Sequence, residues 1–323
     1  MANILCLRPK ADFSRVDAAA PASLYVEYTT RPPAELLDSG KEFEGLVIPA
    51  VGPPLSPDLF RRTRIRLVQV TGAGVDRLDR DAMVDLGIAV ANVPGGSNEA
   101  VAEYVIATAL MLSRRLSEAS SKTLSGYDNT LRNTFIADLP RGLAGGTVGI
   151  VGLGTIGTAV ARAFHALGAH ICAFDERIVG SELEFPVRSV ALDELLEQSD
   201  IVTLHVPLTP ETRNLIDARA LSRLQPHAYL INAARGGIVD ETALAEALGD
   251  KRLAGAAVDV FSREPADADN PLMAAAAQLE GRLLLTPHLA GISRQAWQKL
   301  FTLAWQNVAD YLCHDKPLRF RIY

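Results

Sequence analysis

The sequence is sparing in the features that mark several common protein classes. It has only three cysteines, Cys6, Cys172 and Cys313, widely separated and without metal-ligand spacing. That pattern argues against a disulfide-stapled scaffold and a cysteine-based metal site; it reads as buried free thiols in a reducing compartment. No apolar run reaches the ~18 residues a membrane span needs. The opening MANILCLRPK has no basic segment ahead of a long apolar stretch, so no secretory leader is expected. Basic clusters are also scarce. The RRTRIR run at 61–66 is short and reads as a solvated helix end, and the net charge is −6, so nucleic acid is not an expected partner. These absences lead to the expectation of a cytoplasmic protein with no membrane and no metal.

What is present suits a well-cored globule: 323 residues, 48% hydrophobic and 22% charged. The length corresponds to about two domains at roughly 150 residues each. Short apolar runs alternate with helical patterns along the whole chain. The first third holds ANILCL, GLVIPA, RLVQV and IAVANV; beyond residue 146 come VGIVG, HICAFD, IVTLHV, AYLINA, AGAAVDV and LLLTPH. Continuous apolar runs, rather than in/out alternation, predict strands buried on both faces, as in parallel sheets covered by helices. Both parts are therefore expected to be α/β.

Between the two sets, NEAVAEYVIATALMLSRRL predicts a long helix, with Ser97 or Asn98 as its cap and Val101, Val105, Ala109 and Leu112 along one side. The polar segment from about 118 to 146 reads as an arm or loop. A last helix, from about Arg294, carries Trp297, Phe301, Trp305, Val308 and Leu312 in one stripe and needs a surface to cover it, with a return to the first domain open to it.

The segment TVGIVGLGTIGTAVARAFHALGAHICAFDE places Gly152, Gly154 and Gly157 in a GxGxxG arrangement between a strand and a helix. The pattern is weak alone and strong in this context. The first glycine permits a tight turn, the second lets backbone approach a pyrophosphate, and the third lets helix and strand pack closely. The helix start then offers free amides and a positive dipole end to phosphate. Asp175 lies 18 residues beyond Gly157 (175 − 157), near the spacing of a ribose-binding carboxylate. Such an acid favours NAD over NADP, with Arg177 nearby as the residue that tempers the preference.

Three polar residues follow three late strands: Arg235 after AYLINA, Glu264 after AGAAVDV, and His288 closing LLLTP. Ligands of open parallel sheets bind beyond the strands' carboxyl ends. Arginine can grip a carboxylate with a planar fork, and histidine can pass a proton near neutral pH. A carboxylate beside it would orient the ring. Each alone has a plainer reading: a surface charge, part of an acidic loop, a satisfied loop histidine such as His165, His170, His227 or His314. His205 reads as structural or near the cofactor. Together the three point to a catalytic set.

At this point the chain resembles the NAD-dependent D-2-hydroxyacid dehydrogenase family, in its phosphoglycerate dehydrogenase-like and glyoxylate/hydroxypyruvate reductase-like branch. The resemblance rests on VTGAGVDRLD (70–79), NEAVAEYVIATALML (98–112), VGLGTIG (151–157), LHVPLTPETRNLI (204–216), INAARGGIVDETAL (231–244), AAVDVFSREP (256–265) and TPHLAG (286–291), in the family's order. It implies two Rossmann-like domains: a doubly wound NAD-binding domain over 98–290, and a smaller flavodoxin-like substrate domain built from 1–97 and 291–323. It implies His288 as acid/base, Glu264 as its partner, and Arg235 as the group holding the substrate carboxylate. It also implies that backbone amides of Gly72, Ala73 and Gly74 bind that carboxylate from the substrate domain, in a turn whose conformation glycine permits. Thr155, Ile156, Val206, Pro207, Thr212, Ala233 and Asp259 are implied beside the NAD, mostly through backbone. The segment after Asn98 resembles the crossing helix and arm through which such enzymes form homodimers.

Departures bound the substrate. Phosphoglycerate dehydrogenases of the family carry a basic residue in the segment matching LVIPAVG, and residues 46–52 have no charge. No appended regulatory domain is expected beyond residue 323. Formate dehydrogenases have an amide at the position of Glu264. The expected substrate is a small 2-oxo or D-2-hydroxy acid such as glyoxylate, hydroxypyruvate or pyruvate, with a phosphorylated or sulfonated acid still open. Arg8 reads either as a second anion contact or as a surface residue. The reading from another class is an NAD-sensing binding protein resembling the family's corepressors, which keep the same three residues.

Overall fold

Among the described residues twelve strands form, paired in parallel with one another and gathered in two sheets. The computed structural model describes residues 1–30, 42–126, 129–176, 183–279 and 281–323, so Arg177 lies outside the described residues. The chain divides into two compact units, residues 1–97 with 292–323, and residues 98–291.

The first unit holds β1 (Ala2–Cys6), β2 (Leu24–Tyr28), β3 (Gly45–Ile48), β4 (Leu67–Val70) and β5 (Ala89–Ala91) in the order β2-β1-β3-β4-β5. This is the flavodoxin-like order, with the switch between β1 and β3. Alternate residues of each strand feed opposite faces. Ile4, Cys6, Val47 and Leu67 join one core, and Leu5, Leu46, Ile48 and Val68 the other. The helix Arg294–Cys313, capped by Ser293, covers the first of these faces. Phe301, Trp305 and Val308 of its stripe are buried there, with Trp297 and Leu312 packed at the margin. Phe13 meets the Phe301 and Trp305 rings at centroid distances of 4.6 and 5.1 Å. One polar pair is sealed inside this apolar contact. Asn307 Nδ2 donates to Gln69 Oε1 (2.7 Å), and Gln69 Nε2 donates to the carbonyls of Val70, Ala91 and Asn92. Asn307 also exchanges bonds with the Arg319 backbone, which leads the C-terminal residues to the edge of β5. There Val90 and Tyr323 pair through backbone.

The second unit holds β6 (Thr147–Val151), β7 (His170–Phe174), β8 (Val187–Ser189), β9 (Ile201–Leu204), β10 (Tyr229–Asn232), β11 (Gly255–Val258) and β12 (Leu283–Leu285). Their order, β12-β11-β10-β9-β6-β7-β8, is that of a doubly wound dinucleotide fold, reversing between β6 and β9. The helices Asn98–Ser113 and Thr155–Ala166 pack on one face through Val105, Ala109, Val160 and Phe164. Leu195, Leu221, Leu244 and Leu248 from other helices cover the opposite face.

Two sequence expectations are corrected. The segment read as an arm or loop forms the helices Leu116–Leu124 and Asn129–Asp138. Polar side chains hid them because they bury little; charge pairing supports them instead, with Glu118 gripping Arg115 at 2.7 Å and Lys122 at 2.6 Å. The strands β2 and β8 were not anticipated. Each lies at a sheet edge and pairs on one side only, so neither needs a continuous apolar run.

Candidate active site

Beyond the carboxyl end of β6 the chain turns sharply at Gly152, with φ +92°. A side chain there would meet the His205 carbonyl at 2.8 Å, and a Cβ on Gly157 would sit 2.0 Å from the Gly152 carbonyl oxygen. The first and third glycines are thus required by close approach within the loop. Gly154 differs: nothing lies within 4 Å of its missing Cβ. It caps the helix Thr155–Ala166 without any side-chain bond to the first turn, so that helix start presents backbone amides to open space. Asp175 follows β7 directly and accepts the Leu153 amide at 2.7 Å, which ties the loop to the neighbouring strand end. An open glycine, an uncapped helix start and a carboxylate beside the loop fit the pyrophosphate and ribose of a dinucleotide.

The rest of the expected cofactor contacts border this loop or line the switch point. Thr155 is exposed and Ile156 half-buried, and Thr155 Oγ1 lies 3.5 Å from Asn98 Oδ1. Val206 approaches the Gly152 Cβ position at 2.8 Å. Thr212 turns its hydroxyl inward to the Pro207 carbonyl (2.6 Å) and accepts the Thr209 amide (2.8 Å), so it shapes its loop. Ala233 follows β10, half-buried. His205, one residue beyond β9, pairs Nε2 with Thr203 Oγ1 at 3.0 Å. Desolvation pushes its pKa down to about 3, which keeps the ring neutral.

Asp259, expected beside the cofactor mostly through its backbone, turns its carboxylate inward. Its residue is 0% exposed. Its carboxylate accepts Thr286 Oγ1 at 2.6 Å and the amides of Leu289 and Ala290, both at 2.8 Å. Thr286 spends its one proton on this bond, so the Tyr104 hydroxyl donates to Thr286 at 2.7 Å. Asp259 therefore holds the loop that carries His288.

The adjacent strands β10, β11 and β12 deliver Arg235, Glu264 and His288 at their carboxyl ends. After β10 the Asn232 side chain donates to the Arg235 carbonyl (3.0 Å) and accepts the Ala234 amide (3.2 Å), fixing the turn. Gly236 has to be glycine, because a Cβ would sit 1.8 Å from the Phe261 carbonyl oxygen. Arg235 is half-buried and donates Nη1 to the Ala234 carbonyl at 2.7 Å. Glu264 accepts the Phe261 amide on Oε1 (3.1 Å) and faces His288 Nδ1 with Oε2 (2.8 Å). Their side chains are 25% and 26% exposed, so both can reach a ligand. His288 holds φ at +52°, a left-handed value uncommon for histidine. Its amide donates to the Asp259 carbonyl at 2.8 Å. Burial alone would raise the Glu264 carboxyl; the bond and charge of His288, the Phe261 amide and the Arg235 charge outweigh it and hold the group below its ordinary range.

In the first unit the Gly72–Gly74 turn follows β4. The Val93 amide (2.9 Å) and Asn92 Nδ2 (2.7 Å) hold the carbonyls of Gly72 and Ala73. Neither glycine has a positive φ, which corrects the expected reason for their presence. Gly72 is needed for space, since its Cβ would lie 2.8 Å from the Ala50 methyl. Arg8 is neither a surface residue nor an open anion contact: it bonds Asp12 at 3.1 Å and lies 4.9 and 4.8 Å from the Trp297 and Phe301 ring centres. Sequence reading missed Arg77, which is 8% exposed and holds the Pro49 and Pro53 carbonyls. It also missed Glu241 and Tyr104, whose partners lie far along the chain. Among the described residues no helix is long and apolar enough to cross a membrane, and no three His, Cys, Asp or Glu side chains gather to hold a metal.

The chain is similar to known proteins along most of its length. Residues 106–290 match the family model for the D-isomer specific 2-hydroxyacid dehydrogenase NAD binding domain. The chain is 37% identical over 277 residues to the (S)-sulfolactate dehydrogenase of Chromohalobacter salexigens, covering 85% of this chain and 86% of that one. It is 35% identical over 297 residues to the glycerate dehydrogenase of Methylorubrum extorquens, covering 91% and 90%. The structure superposes on the NAD complex of the NAD-dependent formate dehydrogenase from Staphylococcus aureus with a TM-score of 0.83, at 26% identity and 99% and 98% coverage.

Proposed function

Because the chain belongs to the D-isomer specific 2-hydroxyacid dehydrogenases, NAD-dependent oxidoreductases, we propose that it interconverts a small 2-oxo acid and its D-2-hydroxy acid through His288, Glu264 and Arg235. The observation that carries this reading is the 2.8 Å contact of His288 Nδ1 with Glu264 beyond two adjacent strand ends. With Nδ1 engaged, Nε2 is the nitrogen left to exchange a proton. Glu264 orients the ring through this contact. Bound NADH would supply the hydride. His288 then gives its proton to the substrate's carbonyl oxygen, and in the reverse direction takes the hydroxyl proton. Arg235 offers a charged, planar fork to the adjacent carboxylate and polarises the carbonyl.

The Gly72, Ala73 and Gly74 amides complete the proposed substrate contacts. In support, none of the three donates to a backbone carbonyl among the described residues, while the turn's carbonyls are held from behind. For the cofactor we assign Gly152, Gly154, Thr155, Ile156, Gly157, Asp175, Val206, Pro207, Thr212, Ala233 and, through its backbone, Asp259. We also propose a homodimer formed through the helices after Asn98, supported by exposed Met111, Leu116, Leu124, Ile136 and Leu139 on or beside them. A cytoplasmic location accords with three unpaired thiols.

The test is NADH consumption with glyoxylate, hydroxypyruvate, pyruvate and a sulfonated 2-oxo acid. Turnover of at least one is expected. Tight NAD binding with no turnover of any would overturn the enzymatic reading.

A further inference from the structure

A buried carboxylate outside the proposed catalytic set governs the loop on which Glu264 stands. Glu241 opens the helix Glu241–Gly249 and is 9% exposed. Among the described residues it forms no ion pair. Instead it gathers three donors from one loop: the Ser262 amide on Oε1 at 2.6 Å, Ser262 Oγ on Oε2 at 3.0 Å, and Asn270 Nδ2 on Oε2 at 2.6 Å. A carboxylate taken out of water without a cation is costly unless such donors converge on it. Asn270 is itself fixed, since its Oδ1 accepts the Leu272 and Met273 amides at 3.0 and 3.4 Å. Both ends of the Ser262–Asn270 loop are thereby tied to one side chain.

The tie continues toward the site. Ser262 follows Phe261, whose carbonyl packs against Gly236 and whose amide donates to Glu264 Oε1. The other Glu264 oxygen meets His288. We propose that Glu241 is a positioning residue that acts through the Phe261–Ser262 backbone to aim Glu264 at His288. A salt bridge could do the same for a surface loop, but a carboxylate with three short bonds leaves fewer rotamers open to the loop it holds. This rests on the reading of His288 and Glu264 given above.

The test uses the full-length protein with NADH and the best 2-oxo acid of the panel. Glu241→Gln replaces one acceptor oxygen by an NH2 group that faces donors. We expect kcat to fall roughly 10- to 100-fold, the usual cost of misplacing a reacting group by about an ångström, with the KM for NADH unchanged. The groups around His288 are Glu264 in contact, Arg235 beyond it, and Asp259 behind its backbone. In a Glu264→Gln background, Glu241→Gln should then add less than about twofold. Ser262→Ala, which keeps the backbone bond, gives a milder loss of kcat with the same pattern should Glu241→Gln fold poorly. Full additivity in the double variant, or a lowered melting temperature with kcat unchanged, would reduce Glu241 to a structural role. A wild-type protein inactive on every 2-oxo acid would instead overturn the underlying functional reading.

Discussion

In the seven-stranded sheet the buried carboxylates of Asp259 and Glu241 each reach into a loop beyond a strand's carboxyl end. In the five-stranded sheet the buried amides of Gln69 and Asn307 bind the sheet to its covering helix and C-terminal residues. The difference follows from what each group can do. An amide both donates and accepts, carries no charge and closes a network between two already regular elements. A carboxylate only accepts, so it collects backbone N–H groups, and loops are where unpaired N–H groups are found. The buried carboxylates of the second unit thus hold loops by accepting, one of them the loop that keeps His288 at φ +52°. The buried amides of the first unit sit within an apolar contact where Trp305, Phe13 and Phe301 are fully buried, while its buried Arg77 holds the Pro49 and Pro53 carbonyls by donating. Buried charge fixes loops, and the buried amide pair serves cohesion.

The sharpest way to break this contrast is at His288. Asparagine tolerates left-handed backbone, so His288→Asn leaves the loop's conformation accessible while removing the proposed proton carrier. Turnover should fall by roughly 10² to 10⁴, with a melting temperature close to that of the wild type. A variant that keeps its turnover would remove His288 from the reaction. One that loses its fold would show that the strained loop stabilises as well as positions.

The mirror experiment is Trp305→Ala. It empties the aromatic centre of the first unit and should cost about 3–5 kcal/mol of stability, seen as a lower denaturant midpoint. NAD affinity, which we assign to the loop at Gly152–Gly157 in the second unit, should change little below the transition. A large loss of NAD binding under native conditions would mean that cohesion and cofactor binding are not separable in this way.

These contrasts were unevenly legible in the sequence. Strands such as YLIN and GAAV are buried on both faces and can only be written as apolar runs, so central β9, β10 and β11 stand out. The edge strand LYVEY is half exposed, and VRS has no apolar run at all; nothing in their composition demands a sheet. The stripe on the last helix showed that a surface must cover it, but only packing shows which one. Gly152 and Gly157 were readable because close approach within the loop requires them. Arg235, Glu264 and His288 were singled out because each follows a strand. The clamps were not: Glu241 meets Ser262 and Asn270 21 and 29 residues away, and Tyr104 meets Thr286 182 residues away. Likewise the sequence places Asp259 only beside the expected cofactor, and its three bonds are what show the carboxylate facing inward.

The smallest predicted effect concerns His205, which stands between the two uses of polar groups. It lies beside Gly152 yet is held neutral by burial, with a pKa pushed down to about 3. The folded value lies below the ~6.5 of an unfolded chain. As pH falls below that unfolded value, the unfolded state takes up a proton that the folded state refuses, so stability falls with acidification. Between pH 7 and 5 the loss is at most about 2 kcal/mol, and the part of the residue that still reaches solvent trims it. His205→Gln removes the titration and keeps a polar partner for Thr203, so its denaturant midpoint should vary less with pH over that interval. Equal pH slopes in the two proteins would mean that the ring is protonated without strain. The acid sensitivity would then belong to carboxylates such as Glu264, whose depressed pKa makes its contribution full above the ordinary carboxylate range and lost only as pH falls through the folded value.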